Sequence, residues 1–256
     1  MDRSDQSQSV RARGDEPRGW PSVARLWRVG WTVAEILVVE LAVCGLAALP
    51  SVTLWTRVSG WAEASGIRLA LLALVVVPSY ILFALTLMVC SALATRLTGA
   101  RTPPDAEFRI RDLEWPLLRW VRYMTASHIV RALAGGLFRG SPIWTAYLRL
   151  NGARIGRGVY VNTLSIADHN LLTLGDDVVI GADVRVSGHT VEGGVLKTGS
   201  VTLGDGVTVG LGTAIGIDVE AGPGCQIGAL SLVPKHARLA ANAVYAGIPV
   251  QELHSG

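Results

Sequence analysis

Two histidines stand where the otherwise regular spacing of this chain fails, and imidazole is the side chain best suited to moving a proton near neutral pH. His169 lies in Ile166-Ala-Asp-His-Asn170 and His189 in Ser187-Gly-His-Thr-Val-Glu192. Glu192 follows His189 by three residues and carries two readings: a carboxylate that orients the imidazole, or a solvated loop charge. His169 reads more simply as a hydrogen-bonding loop residue, His236 in Pro234-Lys-His as a surface group, and His128 as part of a connecting segment. The cysteines add no chemistry. Cys44 and Cys90 fall in apolar runs and Cys225 at a small, inward-pointing position, so a disulfide-stapled scaffold is excluded.

The spacing that these residues interrupt has a period of six. From Leu203 onward every sixth residue is Leu203, Val209, Ile215, Ala221, Ile227, Val233, Leu239 and Tyr245. Upstream the same step links Leu174, Ile180 and Val186, and before them Ile155 and Val161. Eight of these thirteen positions are followed directly by glycine, and the residue four places on is small or β-branched until Pro249. Such a period fits neither an α-helix nor an alternating strand. It predicts short strands separated by bends, wound as a solenoid with one large and one small side chain pointing inward per side. Adjacent coils would lie about 4.8 Å apart, with glycine supplying backbone freedom at each corner. The period slips by one residue between Val161 and Leu174 and is broken by a long loop between Val186 and Leu203. In solenoids such insertions often build the binding face.

The N-terminal half belongs to another solvent. All eight tryptophans precede Asn151. Of the 256 residues, 50% are apolar and 17% charged, and the mean hydropathy is +0.40. That excludes disorder for most of the length and points to a membrane-embedded part, while a net charge of +3 is too mild to argue nucleic-acid binding. Between Arg28 and Arg57 the only charges are Glu35 and Glu40, and Leu69 to Thr95 carries none. Each stretch reaches the roughly 20 residues that a spanning helix needs. Residues 29–96 therefore read as a transmembrane hairpin, preceded by a disordered basic tail over 1–28. Glu40 would sit near mid-membrane, protonated or hydrogen-bonded to Ser79 or Tyr80. The long basic segment ahead of the first run fits a cleaved signal peptide poorly. Arginines cluster before the first helix and after the second, which places both termini on the cytoplasmic side. Residues 97–150 read as an amphipathic interfacial connector, with Leu113, Trp115, Leu117, Leu118 and Trp120 interleaved with Arg109, Arg111, Arg119 and Arg122. Pro116 would break its regularity, and a helix packed between hairpin and solenoid is the other reading. Residues 151–256 form the repeat domain, so the fold class is α + β.

On these residues the chain resembles the hexapeptide-repeat acyltransferases over roughly Ile155 to Val250. The resemblance implies a left-handed parallel β-helix of three hexapeptides per coil, assembled as a homotrimer with sites between adjacent prisms. Gly188-His189-Thr190 ahead of Leu203-Gly-Asp-Gly-Val is similar to the sugar O-acetyltransferases of that superfamily, which implies His189 as the general base. It would take a proton from an acceptor hydroxyl or amine attacking a thioester carbonyl and return it to the departing thiolate. Asp168 matches an acidic residue of their acceptor pocket, whereas Asn162 is one residue out of register with their substrate-binding asparagine. Ile227-Gly-Ala-Leu-Ser-Leu-Val-Pro-Lys235 resembles their donor-binding segment, implying coenzyme A contacts from Ala229 and Lys235. Ala246-Gly-Ile-Pro249 resembles their closing element.

A second resemblance joins the two halves. The apolar hairpin, the arginine-rich connector, Leu148-Arg-Leu-Asn-Gly-Ala-Arg-Ile-Gly156 and His189-Thr-Val-Glu192 with Lys197 are similar to the membrane-bound β-helix modules at the ends of some nonribosomal peptide and poly-amino-acid synthetases. This implies a substrate-side role for Lys197, phosphopantetheine on a carrier protein as an alternative donor, a peptide synthetase as partner, and the cytoplasmic membrane of a bacterium as location. β-Helix carbonic anhydrases hold metal through three histidines; here only His169 and His189 are well placed, so no metal is expected. Two functions follow: a membrane-anchored acyltransferase, or a noncatalytic trimeric scaffold that docks a synthetase at the membrane.

Overall fold

The computed structural model describes residues 23–61 and 64–253. Helices α1 (Val23–Ser59) and α2 (Ser65–Leu97) pair as a hairpin. At about 1.5 Å per residue each exceeds a bilayer core of about 30 Å, and both are apolar enough to cross one. Val43, Ala47, Ala84, Leu87 and Met88 are buried between them, while Leu37, Leu41, Leu74 and Val77 face outward. Because α1 already starts at Val23, residues 23–28, expected in the tail, are helical. The rest of that tail, residues 1–22, lies outside the described residues.

Glu40 has neighbours other than the Ser79 and Tyr80 side chains expected for it. Glu35 and Glu40 lie level with Ala94, Thr95 and Thr98 at the C-terminal end of α2. Glu35 pairs with Arg122. Ser79 Oγ has no hydrogen-bond partner among the described residues, and Tyr80 Oη donates to the Leu133 carbonyl at 2.7 Å, so neither side chain serves Glu40. Both carboxylates thus lie toward the end of the hairpin where Arg122 stands.

Helix α3 (Trp115–Val130) packs between hairpin and solenoid through Leu117, Leu118, Tyr123, Ala126 and Val130. Pro116 occupies its first turn, where no intrahelical N–H is lost and the fixed φ suits a helix. The proline thus starts the helix instead of breaking it. A π-helical turn (Arg131–Gly135) leads into the single turn α4 (Gly136–Phe138) and then α5 (Pro142–Leu150), whose Ser141 cap accepts from the Trp144 N–H. Trp144, Tyr147 and Leu148 of α5 are buried against the first coil and close that end of the solenoid.

Three parallel sheets make the sides of the solenoid. One stacks Arg154–Ile155, Leu172–Leu174, Val201–Leu203, Val219–Ala221 and Arg238–Leu239. The second stacks Tyr160–Val161, Val179–Ile180, Thr208–Val209, Gln226–Ile227 and Val244–Gly247, with Val250–Glu252 folded back antiparallel on the last. The third holds Arg185–Val186, Ala214–Ile215 and Leu232–Val233, extended by a bridge from Ile166 to Val186. Leu203, Val209, Ile215, Ile227 and Val233 point inward at 3% exposure or less, as do Val207, Thr213, Val219 and Cys225, so the six-residue reading of the core holds.

The glycines serve a different purpose from the one expected. Gly210, directly after inward Val209, is not in a left-handed conformation; a Cβ there would stand 2.4 Å from the Ala229 nitrogen of the next coil. Close approach of coil to coil is what excludes a side chain. The left-handed corner comes two residues later, at Gly212 with φ +68. Asp218, Leu230 and Asn242 take the same corner with φ between 53 and 57.

The long interruption is a β-hairpin rather than a loop. His189–Glu192 pairs antiparallel with Val195–Thr198 across Gly193-Gly194, whose φ values of +55 and +76 give a type I′ turn. Thr190, which the six-residue count placed inward, faces Lys197 within this hairpin. Strand Glu107–Arg109 adds to its edge, with Phe108 opposite Leu196. Thr198 Oγ1 donates to the Pro103 carbonyl at 2.7 Å and accepts from the Ala106 N–H at 3.0 Å. The segment leaving α2 is thereby strapped to the hairpin that carries His189.

Candidate active site

Four segments far apart in the chain meet at Asp168. The residue follows Ile166-Ala167 at the first interruption and adopts a left-handed backbone, φ 56, before a short turn at His169–Leu171. Aspartate tolerates that conformation better than most residues. Its carboxylate accepts three hydrogen bonds. Thr102 Oγ1 donates to Oδ1 at 2.6 Å, Trp120 Nε1 donates to Oδ1 at 3.1 Å, and His189 Nδ1 donates to Oδ2 at 2.6 Å. Gly188 explains how His189 comes so close, because a Cβ there would lie 2.7 Å from Asp168 Cβ. The Gly-His pair is thus a steric requirement of the dyad.

Burial pushes the Asp168 carboxyl up, but the hydrogen bonds from His189, Thr102 and Trp120 together outweigh it and hold the group below the usual carboxylate range. An ionised carboxylate only accepts. Nδ1 of His189 must therefore carry a proton, so in the neutral ring the lone pair is on Nε2. The Trp120 ring stands edge-on to the imidazole, 5.0 Å between centroids at 69°, and restricts its rotation. The result is an oriented imidazole with a free basic nitrogen, the arrangement that general-base catalysis needs.

The other expected site residues fall as follows. Asp168, expected to line an acceptor pocket, has a side chain with no exposed surface, whereas 22% of the His189 side chain is exposed. A molecule entering from solvent would therefore meet the imidazole and not the carboxylate. Glu192 does not orient His189. The two stand three residues apart on one strand and so point to opposite faces. Glu192 pairs instead with Lys235 at 2.5 Å and Lys197 at 3.7 Å, and the Lys235 ammonium holds its carboxyl below the usual range. Lys197 also pairs with Glu107 at 3.6 Å. These ion pairs tie the hairpin to the connector and to the coil corner at Lys235. Ala229 packs backbone to backbone over Gly210 in the later coils, and the Asn162 side chain lies beside Gly140 and Tyr160. Neither belongs to the Asp168 cluster.

Thr102 and Trp120 are absent from the candidate site residues that the sequence singles out, where the connector reads as a helix at the membrane surface or packed between hairpin and solenoid. Nothing in the sequence marks Thr102. Trp120 carried one usable signal, a hydrogen-bond donor that needs a partner when the ring is packed.

His169 has a structural part. Its ring is fully buried, edge-on to Tyr123 and Tyr147 with centroids 5.8 Å away in each case, and the His169 backbone N–H donates to Tyr123 Oη at 3.0 Å. Burial pushes the imidazole down to about 4 from its ordinary value near 6.5. The unfolded chain then binds the extra proton between those two values while the folded chain does not. Stability is expected to fall as the pH drops from about 6.5 to about 4 and to level below, by on the order of 3 kcal/mol in total. Melting temperature against pH checks this: His169→Leu should lack that part of the acid loss, and identical acid profiles for the two proteins would refute it.

No protein-family model and no curated protein matches the sequence. Among solved structures the chain is similar to a hexapeptide-repeat-containing acetyltransferase from Vibrio cholerae, at 21% identity and a TM-score of 0.38, over 41% of this chain and 63% of that one. The chain thus spans a little under two thirds of that relative's length. It is also similar to a galactoside acetyltransferase in complex with coenzyme A, at 21% identity and a TM-score of 0.36, over 44% of this chain and 69% of that one. A serine acetyltransferase from Neisseria gonorrhoeae matches at 16% identity and a TM-score of 0.40, over 84% of this chain and 66% of that one. At identities and TM-scores this low they are similarities, and the site stands on its own geometry.

Proposed function

We propose that the protein is a membrane-anchored acyltransferase of the left-handed β-helix type, with His189 as general base. The observation that carries this reading is the Asp168–His189 pair, which leaves Nε2 as the basic nitrogen. An acceptor hydroxyl or amine gives its proton to Nε2 as its oxygen or nitrogen bonds to the thioester carbonyl carbon. The carbon–sulfur bond then breaks, and Nε2 returns the proton to the thiolate. Asp168 stabilises the imidazolium formed in between. The donor is a pantetheine thioester, either coenzyme A or a carrier-protein arm, and the assembly is a homotrimer. The test follows thiol release by the purified full chain from acetyl coenzyme A and from acylated carrier protein, with hydroxyl and amine acceptors. Release that needs both donor and acceptor supports the reading; hydrolysis-level release from every pair would move the weight to a noncatalytic membrane scaffold for a synthetase.

Anchoring is supported by the two long apolar helices and by the arginines outside them. In this reading the solenoid and both termini are cytoplasmic and the turn between α1 and α2 is external. A cysteine at Ser59, in a chain lacking Cys44, Cys90 and Cys225, is expected to react with an impermeant reagent in intact cells. Reaction at a cysteine placed at Ser187, in the solenoid, would reverse the topology.

A further inference from the structure

A cleft of about 440 Å³ opens where the end of α2, the segment that leaves it and α3 converge. Arg96, Arg101 and Arg119 line it together with Tyr123, Asn151 and Asn170, and no acidic side chain does. Arg122, one turn along α3, is neutralised by Glu35. None of the three cleft arginines has a carboxylate within ion-pair distance among the described residues, so three guanidiniums share one concavity with nothing to balance them. Nor does Arg96 serve the carbonyls at the end of its helix, since the N–H groups of Thr98 and Ala100 already bond Ala94 and Thr95.

We propose that this cleft is a binding site for a phosphate group. Guanidinium forks match phosphate oxygens in paired, charge-assisted hydrogen bonds, and three arginines lining one cleft without counterions favour a doubly anionic or bridging group over a single carboxylate. The volume suits a headgroup-sized ligand. The cleft sits at the end of the apolar hairpin, which is where phospholipid phosphates lie if the hairpin spans a bilayer. It also shares a wall with the dyad. Asn170 Nδ2 donates to the Thr102 carbonyl at 2.8 Å, the Thr102 N–H donates to Asn170 Oδ1 at 3.2 Å, and Thr102 Oγ1 holds Asp168. Phosphate is thus recognised one residue away from the group that orients His189.

The test uses the detergent-solubilised full chain and reads bound ligand by native mass spectrometry. One arm titrates phosphatidylglycerol against phosphatidylcholine, the other glycerol 3-phosphate and inorganic pyrophosphate. Arg101→Gln combined with Arg119→Gln should weaken phosphate binding at least tenfold. Arg154→Gln combined with Arg157→Gln removes the same charge from the solenoid surface and should leave it unchanged, with melting temperatures verifying that both variants fold. Retention of phosphatidylglycerol alone identifies a lipid headgroup, and binding of the soluble compounds at comparable affinity identifies a soluble phosphoester; both support the site. Absence of binding in both arms, or equal losses in the two double variants, overturns it.

Discussion

Replacing His189 by asparagine is expected to lower thioester turnover by about 10²–10⁴-fold while the protein stays folded and assembled, the usual size of a lost general base. Asparagine is chosen because its amide can still donate to Asp168 Oδ2, as Nδ1 does at 2.6 Å, but offers no nitrogen able to take a proton. His189→Ala should lose as much activity and in addition destabilise the protein by roughly 1–3 kcal/mol, because the buried Asp168 carboxylate then lacks one of its three donors. A plain surface loop residue would cost far less than that. His236→Ala, remote from the dyad and paired with Asp218, is the active control. Turnover is read as thiol release. Assembly is read as particle mass, which for a trimer is about three times the 27.1 kDa chain after the detergent is subtracted. Undiminished turnover in His189→Asn would remove the proposed mechanism and leave the scaffold; loss of the trimer in that variant would instead assign the residue to assembly.

Asp168→Asn is expected to be nearly as damaging to turnover, again roughly 10²–10⁴-fold, without removing the base at all. The amide oxygen can still accept from Thr102 and Trp120, which turns the amide nitrogen toward His189. That nitrogen donates, so the imidazole must accept at Nδ1 and carry its proton on Nε2, the wrong tautomer for a base. The imidazolium formed during transfer also loses its counter-charge. Nitrogen chemical shifts of the His189 ring distinguish the tautomers, and an unchanged Nδ1–H signal with unchanged turnover would dismiss Asp168 as the orienting group. Stability gives a second readout. Because Asp168 is held below its ordinary range, its contribution is present above that range and is lost as the pH falls through the lowered value. The asparagine variant should lack that part of the acid loss.

Much of the solenoid was legible as sequence because its constraint repeats. One inward large residue and one inward small residue per six positions, from Leu203 to Tyr245, leave no other periodic structure that buries both. His189 was legible for the complementary reason, as a histidine in a stretch exempt from that register. The hairpin that carries it was legible too, since Gly193-Gly194 between two four-residue runs is a turn signal, but a loop reading passed over it.

What only the tertiary structure decided is which carboxylate serves His189 and what holds that carboxylate. Along the chain Glu192 is three residues from His189 and Asp168 is twenty-one, yet strand alternation turns Glu192 away toward Lys235 and Lys197 while Gly188 admits Asp168 to contact. Thr102 and Trp120 reach Asp168 from 66 and 48 residues away, on segments whose apolar and basic pattern reports only their packing and solvent. A repeating local constraint can be read from spacing because every coil restates it. A single buried carboxylate satisfied by donors from separate elements is stated once, in three dimensions, and no periodicity records it.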